Sequence, residues 1–228
     1  MAKVFIGVGH GGADSGAVGN GFKEKDLNLS IAKACYEELK RHGVKCKISR
    51  DKDKDETVSA KVKQCNSYKP DYALDIHNNA GGGDGAEIYH HIGGGKGKTL
   101  ANNVLKEIVN IGQNSRGLKT KTNSAGKDYF GFIRDTSAPA ILVECAFIDN
   151  AQDIKIIDTA AEQKKMGVAI AKGILSTLCI KYVEEKPKTT DDGKTYRVQV
   201  GVYKSKANAV KMQKQLKAAG FEAIITEG

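Results

Sequence analysis

Apolar residues in this chain fall into two rhythms that alternate along its first 180 positions. Val4, Phe5 and Ile6 sit in a near-continuous apolar run over Lys3–Gly9, the mark of a strand buried on both faces. A helical stripe follows from Glu24 to His42, with Leu27, Ile31, Ala34, Cys35 and Leu39 on one side and Gly43 as its stop. Val44–Arg50 reads as a strand and Glu56–Tyr68 as a helix striped by Val58, Val62 and Cys65. Tyr72–His77 and Ala86–Ile92 read as strands, and Gly97–Gln113 as a helix carried by Leu100, Val104, Ile108 and Ile111. Phe130–Arg134 and Ala140–Cys145 give the last strands, before helices over Gln152–Asp158 and Ala161–Leu178. Strands and helices alternating at these lengths predict an α/β domain, a mainly parallel sheet of about six strands flanked by helices.

The pattern breaks after residue 180. Residues 181–193, rich in charge and holding Pro187, read as a linker. Beyond it Thr195–Val202, Lys204–Ala219 and Phe221–Thr226 predict a small βαβ unit over residues 194–228. The organisation is therefore a domain at 1–180, a linker, and a small appended unit.

A net charge of +9 over 228 residues points to an anionic partner: nucleic acid, an acidic membrane or an acidic wall polymer. A lysine-rich surface with no partner is the plainer alternative. Charge is densest in the tail, where seven Lys or Arg face two Glu from Gly193 onward. Cys35, Cys46, Cys65, Cys145 and Cys179 are odd in number and show no CxxC spacing. Reduced, buried thiols are expected rather than a disulfide framework or a thiolate metal cluster. Met1-Ala2-Lys3 runs straight into the first strand without a signal-peptide core, and no apolar run is long enough to span a bilayer. Synthesis in the cytoplasm is the expectation.

Three motifs look informative and fail. Gly7-Val8-Gly9-His10-Gly11-Gly12 matches GxGxxG, but a glycine-rich loop follows where a dinucleotide site needs a helix. Ile92 stands where a phosphate loop over residues 92–99 would need glycine. Asp128 and Asp135 flank Tyr129–Ile133 where an RNA-binding sheet would carry basic and aromatic residues.

Candidate chemistry gathers at strand ends. His10 follows the first strand, His77 ends the third, and Glu24 opens the first helix. Two imidazoles and a carboxylate are the His₂Glu set of zinc hydrolases, with a fourth position left for water. Taken singly, each is also a surface histidine or a first-turn acid favoured by the helix dipole. Glu144 interrupts the apolar strand Ala140–Cys145; a buried carboxylate needs a cation, a partner or a wet cleft. Beside zinc it serves as general base to the attacking water. His42, His90 and His91 are read as non-ligands.

GHGGADSGAVGNGFKEKDLNL, DIHNNA and PAILVECAFIDN occur in that order. In these motifs, over roughly Lys3 to Thr177, the chain resembles the zinc-dependent N-acetylmuramoyl-L-alanine amidases of the third amidase catalytic family. The resemblance implies His10, Glu24 and His77 as zinc ligands and Glu144 as catalytic acid/base. It offers Arg134 as a residue near the substrate, and Asn78, next to the second histidine, is a further candidate for substrate contact. Val8, Asp75, Asn78 and Ala146 depart from the family's usual proline, serine, alanine and glycine without removing a ligand. The tail, through YRVQVGVY, Asn208-Ala209 and Gly220-Phe221, resembles half of a SPOR domain, a family that binds peptidoglycan. A lone half buries little, so a homodimer through the tail, or packing on the main domain, is expected.

The resemblance implies hydrolysis of the bond between N-acetylmuramic acid and the L-alanine of the stem in bacterial peptidoglycan. Anionic wall polymers would be secondary partners, and nucleic acid would not be one. An endolysin that reaches the wall through a holin is the expected setting, with a cellular sporulation or wall-remodelling amidase as the alternative. A catalytically dead wall-binding module and a nucleic-acid-binding protein are the rivals.

Overall fold

The computed structural model describes residues 1–185 and 197–227. It divides into two units, Met1–Glu184 and Glu185–Gly228. In chain order the elements are β1 (Lys3–Val8), β2 (Val18–Gly19), β3 (Phe22–Lys23), α1 (Glu24–Arg41), β4 (Lys45–Ile48), α2 (Val58–Tyr68) and β5 (Tyr72–Asn79). There follow β6 (Ala86–His90), α3 (Gly95–Asn110), β7 (Ser115–Lys119), α4 (Gly131–Asp135), β8 (Ala140–Phe147), α5 (Ala160–Thr177) and, in the tail, α6 (Lys206–Ala218).

Six strands form one sheet in the order β4-β1-β5-β8-β6-β7. Every neighbouring pair is parallel except β6 with β8. The alternation of side chains along β1 shows why both faces are apolar. Val4, Ile6 and Val8 enter the large core under α1, α3 and α5, while Phe5 turns to a smaller cluster with Cys65, Ala73, Phe132 and Ala140. The second face, roofed by α2 and α4, also carries the polar residues of the site. Cys35, Cys65 and Cys145 are buried thiols, and no cysteine among the described residues is paired.

Three expectations are corrected. Phe130–Arg134 is not a strand: Gly131–Asp135 forms the single helical turn α4, closed by the Arg134 N–H donating to the Phe130 carbonyl at 3.0 Å. Phe132 and Ile133 are adjacent and both buried, a spacing a one-turn helix accommodates and a solvated strand does not. The sixth strand is instead β7, whose SRGLK sequence carries one apolar side chain, as an edge strand permits. In the tail the helix forms, but residues 197–203 and 221–227 form no strand. A strand needs a partner ladder and a face to cover, and the described tail supplies neither. Thr195, Tyr196 and the linker beyond residue 185 lie outside the described residues.

Candidate active site

Parallel strands β1, β5 and β8 end on the same edge of the sheet, where ligand sites form in such folds. Glu24 is the first residue of α1, and the β2–β3 hairpin ahead of it folds the chain back over that edge. Its turn, Asn20-Gly21, has positive φ at both residues, the geometry of a tight two-residue hairpin. His77 stands opposite Glu144 in the parallel register of β5 and β8, so both point to the same face.

Glu24 bridges the two imidazoles. Its Oε2 lies 3.1 Å from His10 Nε2 and its Oε1 lies 3.0 Å from His77 Nδ1. The rings meet edge to face with centroids 5.0 Å apart. One donor atom from each residue falls within 4.8 Å of the others, close enough to share one cation. A Cβ on Gly9 would come within 2.7 Å of three atoms of the His77 ring, so only glycine lets the β1 end approach this closely.

Each imidazole is held from behind by a second acid. His10 Nδ1 lies 2.8 Å from Asp14 Oδ2, and His77 Nε2 lies 3.4 Å from Asp75 Oδ2. Asp75 is itself clamped by Lys61 Nζ at 2.8 and 2.9 Å, and both side chains are about 3 % exposed. This is the arrangement in which an outer carboxylate orients a ligating histidine and raises its basicity. Glu24 is further held by the N–H groups of Ala17 and Asn78 and by the Asn28 amide. Beneath it lies buried Arg50, whose guanidinium donates to the carbonyls of Gly9 at 3.0 Å and Lys25 at 2.7 Å, the neighbours of His10 and Glu24.

The charges follow from these contacts. Burial pushes Glu24 upward, but hydrogen bonds from His10 and His77 hold it well below the usual carboxylate range. Burial works against His77, and Asp75 then Glu24 raise it to about 10. Burial also raises Asp75, and Lys61 followed by His77 overcomes it, leaving it at about 2. The group as it stands is a neutralised cluster of acids and imidazoles, and two imidazole nitrogens with one carboxylate oxygen are a donor set that fits a divalent ion.

Glu144 differs. Its Oε2 is buried and has no hydrogen-bond partner in the structure. Burial raises its pKa to about 7; His77 opposes this, while Glu24, Glu87 and Asp75 add to it. It lines a cavity of about 440 Å³ shared with His10, Glu24, His77 and Phe130. A carboxyl balanced near neutrality beside a cation site suits a group that takes a proton and returns it.

The other expected residues divide. Asn78 lines the cavity: its side-chain amide donates to Asn28 Oδ1 at 2.8 Å, while its own Oδ1 is buried without a hydrogen-bond partner. Arg134 lies elsewhere, bonded to both oxygens of Asp135 and to the carbonyls of Asp128 and Tyr129, beside a separate cavity of about 410 Å³. His42 stacks on Tyr182, His90 bonds the His91 carbonyl, and His91 lies 3.1 Å from Asp128. Sequence reading missed Asp14, Lys61, Arg50 and Glu87 as parts of the site. Asp75 stood out only as a departure from a usual serine, and nothing marked Lys61 as its partner, because fourteen residues and a helix separate them.

The family model for N-acetylmuramoyl-L-alanine amidase matches residues 4–176, and the SPOR domain model matches residues 171–227. The sporulation-specific N-acetylmuramoyl-L-alanine amidase of Bacillus subtilis is 33 % identical over 229 residues, covering 99 % of this chain and 84 % of the relative. The endolysin of Bacillus phage SPP1 is 34 % identical over 191 residues, covering 79 % of this chain and 68 % of the relative. The catalytic domain of CwlV, an N-acetylmuramoyl-L-alanine amidase from Bacillus (Paenibacillus) polymyxa var. colistinus, superposes with a TM-score of 0.72 at 29 % identity. That match covers 79 % of this chain and all of the CwlV domain. With three-quarters of its length matched by one model and the histidines and acids of the site gathered at one sheet edge, the chain belongs to the N-acetylmuramoyl-L-alanine amidase family and carries a SPOR domain at its C-terminal end.

Proposed function

We propose that this amidase cuts the bond between the lactyl carbonyl of N-acetylmuramic acid and L-alanine with zinc held by His10, Glu24 and His77 and with Glu144 as the proton carrier. Bound there, zinc would supply Lewis acidity to an amide carbonyl and lower the pKa of water toward ~7. Asp14 and Asp75 keep the two imidazoles turned toward Glu24, and the Gly9 close approach fixes the span between them. Glu144 Oε2 accepts the proton of the attacking water and delivers it to the leaving nitrogen, so that the amine departs neutral. Phe130 and Leu142 line the same cavity and keep bulk water from the acid.

The observation that carries this reading is Glu144 Oε2, buried beside the triad with nothing bonded to it. Glu144→Gln is expected to keep its fold and its zinc and to lose 10²–10⁴-fold or more in kcat. Mass analysis of digested sacculi is the readout, since this bond leaves new L-alanine amino termini without new reducing sugars. Turnover within tenfold of the parent would defeat the assignment.

For the biological setting, release of a cytoplasmically made enzyme onto the wall suits a phage endolysin and a sporulation amidase alike. The match to the sporulation-specific relative runs through the tail and favours the cellular role, whereas the endolysin match covers 79 % of the chain. For the tail, the reading is pairing with the same unit of a second copy, because none of the residues of α6 is fully buried. A concentration-dependent dimer in sedimentation that disappears when the chain ends at Glu184 would support it. A monomer at all concentrations would reject it.

A further inference from the structure

The sheet face that holds His77 and Glu144 does not end with them. Glu144 pairs in register with Glu87 of β6, and Leu142 pairs with Tyr89, which pairs in turn with Lys119 of β7. Leu142, Tyr89 and Lys119 therefore stand in one row across three strands, on the catalytic face. Glu87 accepts from Asn79, Tyr89 and Arg116, the last at 2.9 Å, while Lys119 Nζ is 3.9 Å away. Lys121 Nζ sits 4.0 Å from the centre of the Tyr129 ring and 5.9 Å from that of Phe130, the ring that lines the catalytic cavity. Phe130 leans on Tyr89 with centroids 4.7 Å apart. Just outside the cavity lining, this side thus places three cations, Arg116, Lys119 and Lys121, beside the carboxylates of Glu87 and Glu144. The side chains of Arg116 and Lys119 are 38 % exposed and Tyr129 is half exposed.

The opposite side lacks this excess of cations, since Lys25 Nζ lies 2.7 Å from Asp53 and the acids there are balanced by bases. Beyond β1, residues 51–56 carry four acids and two lysines, and Asp53 and Asp55 accept from the N–H groups of Gly12 and Ala13, just past His10. The substrate is polar in the same sense. On the amidase reading its acyl side is an uncharged sugar chain and its amine side a stem peptide that bears carboxyl groups.

We propose that the β6–β7 edge is the stem-peptide subsite: Lys119, with Arg116 and Lys121, receives the stem's free carboxylates, and the Tyr129–Phe130 wall packs on its apolar part, so the glycan leaves toward β1. The reach agrees. Two strand spacings of ~4.8 Å separate Glu144 from β7, and a lysine side chain covers the remainder to a carboxyl two residues beyond the cut at ~3.3 Å per residue. The inference rests on the amidase reading above, and it assigns which end of the substrate lies where.

The test compares N-acetylmuramoyl-L-Ala-D-Glu peptides with the same compounds amidated at every stem carboxyl. The parent enzyme is expected to favour the free acid in kcat/KM by about tenfold at low salt, a few-fold for each exposed ion pair, with the preference shrinking as salt rises. Lys119→Gln/Lys121→Gln should bring the ratio to about one, and Lys119→Arg/Lys121→Arg should retain it. Arg116 is left in place because it holds Glu87. An unchanged ratio in the double glutamine variant, or no preference in the parent, would overturn the subsite. Calorimetric binding of both compounds to Glu144→Gln reads the subsite apart from turnover. Equal affinities there reject it, and a free-acid preference lost on adding the two glutamines supports it even if the cleaved bond proves to be another.

Discussion

In the unit Met1–Glu184, Ile6, Ile76 and Ile141 are wholly removed from solvent, while in the tail Val198, Val202 and Ile224 remain more than four-fifths exposed. Both stretches read as strands in the sequence, the first as near-continuous apolar runs and the second as an alternation of apolar and polar positions. The difference lies in what each stretch meets: β1 has strands on both sides and helices on both faces, and residues 197–203 have no strand partner among the described residues. A period-two pattern is an offer of a face, and a strand exists only where a partner accepts it.

The sharpest way to break the contrast is at Lys61. Lys61→Met leaves buried Asp75 with His77 as its one charged partner among the described residues and should destabilise the catalytic unit by about 3–5 kcal/mol in urea unfolding. A loss below 1 kcal/mol would mean that Asp75 finds water. The pair also sets a pH dependence. Asp75 is lowered in the fold, so its contribution is present above the ordinary carboxylate value of about 3.8 and fades as pH falls toward about 2. The stability gap between parent and Asp75→Asn, measured on metal-free protein, should close over that window.

Next in size is a paired substitution. Ile76→Ala, in the core, should cost about 2–5 kcal/mol, whereas Val200→Ala, in the tail, should stay within ~0.5 kcal/mol. Equal effects would show that the tail is packed in solution. Ending the chain at Glu184 should leave the unfolding midpoint of the catalytic unit and turnover of a soluble muramoyl peptide within about twofold, and reduce retention on sacculi. Smallest are the caps. Thr159 Oγ1 accepts from the Glu162 N–H at 3.2 Å at the start of α5, and Thr159→Ala should cost about 1 kcal/mol; Ser205, heading α6, makes no such bond and Ser205→Ala should be silent.

The same contrast explains what could be read from residues alone. The two-faced strands and the stripes of α1 and α3 were legible because burial on a sheet forces a period. His10, Glu24, His77 and Glu144 were legible because polar residues at the ends of apolar strands need a reason. Strand β7 was hidden, since an edge strand is satisfied by one ladder and by water and so carries almost no apolar signal. Residues 130–134 misled because five residues are too few to separate a period of two from 3.6. The clamp on His77 was hidden because Lys61 and Asp75 meet only through the packing of α2 over β1, where the Lys61 stem passes Gly7, a tertiary fact with no local trace.

One guanidinium joins events that the chain keeps far apart. Arg50 grips the peptide oxygens beside both His10 and Glu24, so the glycine loop and the first helical turn cannot fray separately. In exchange experiments on the metal-free protein, amide protection in these two segments should rise and fall as a single cooperative opening, timed by a residue that never reaches the surface.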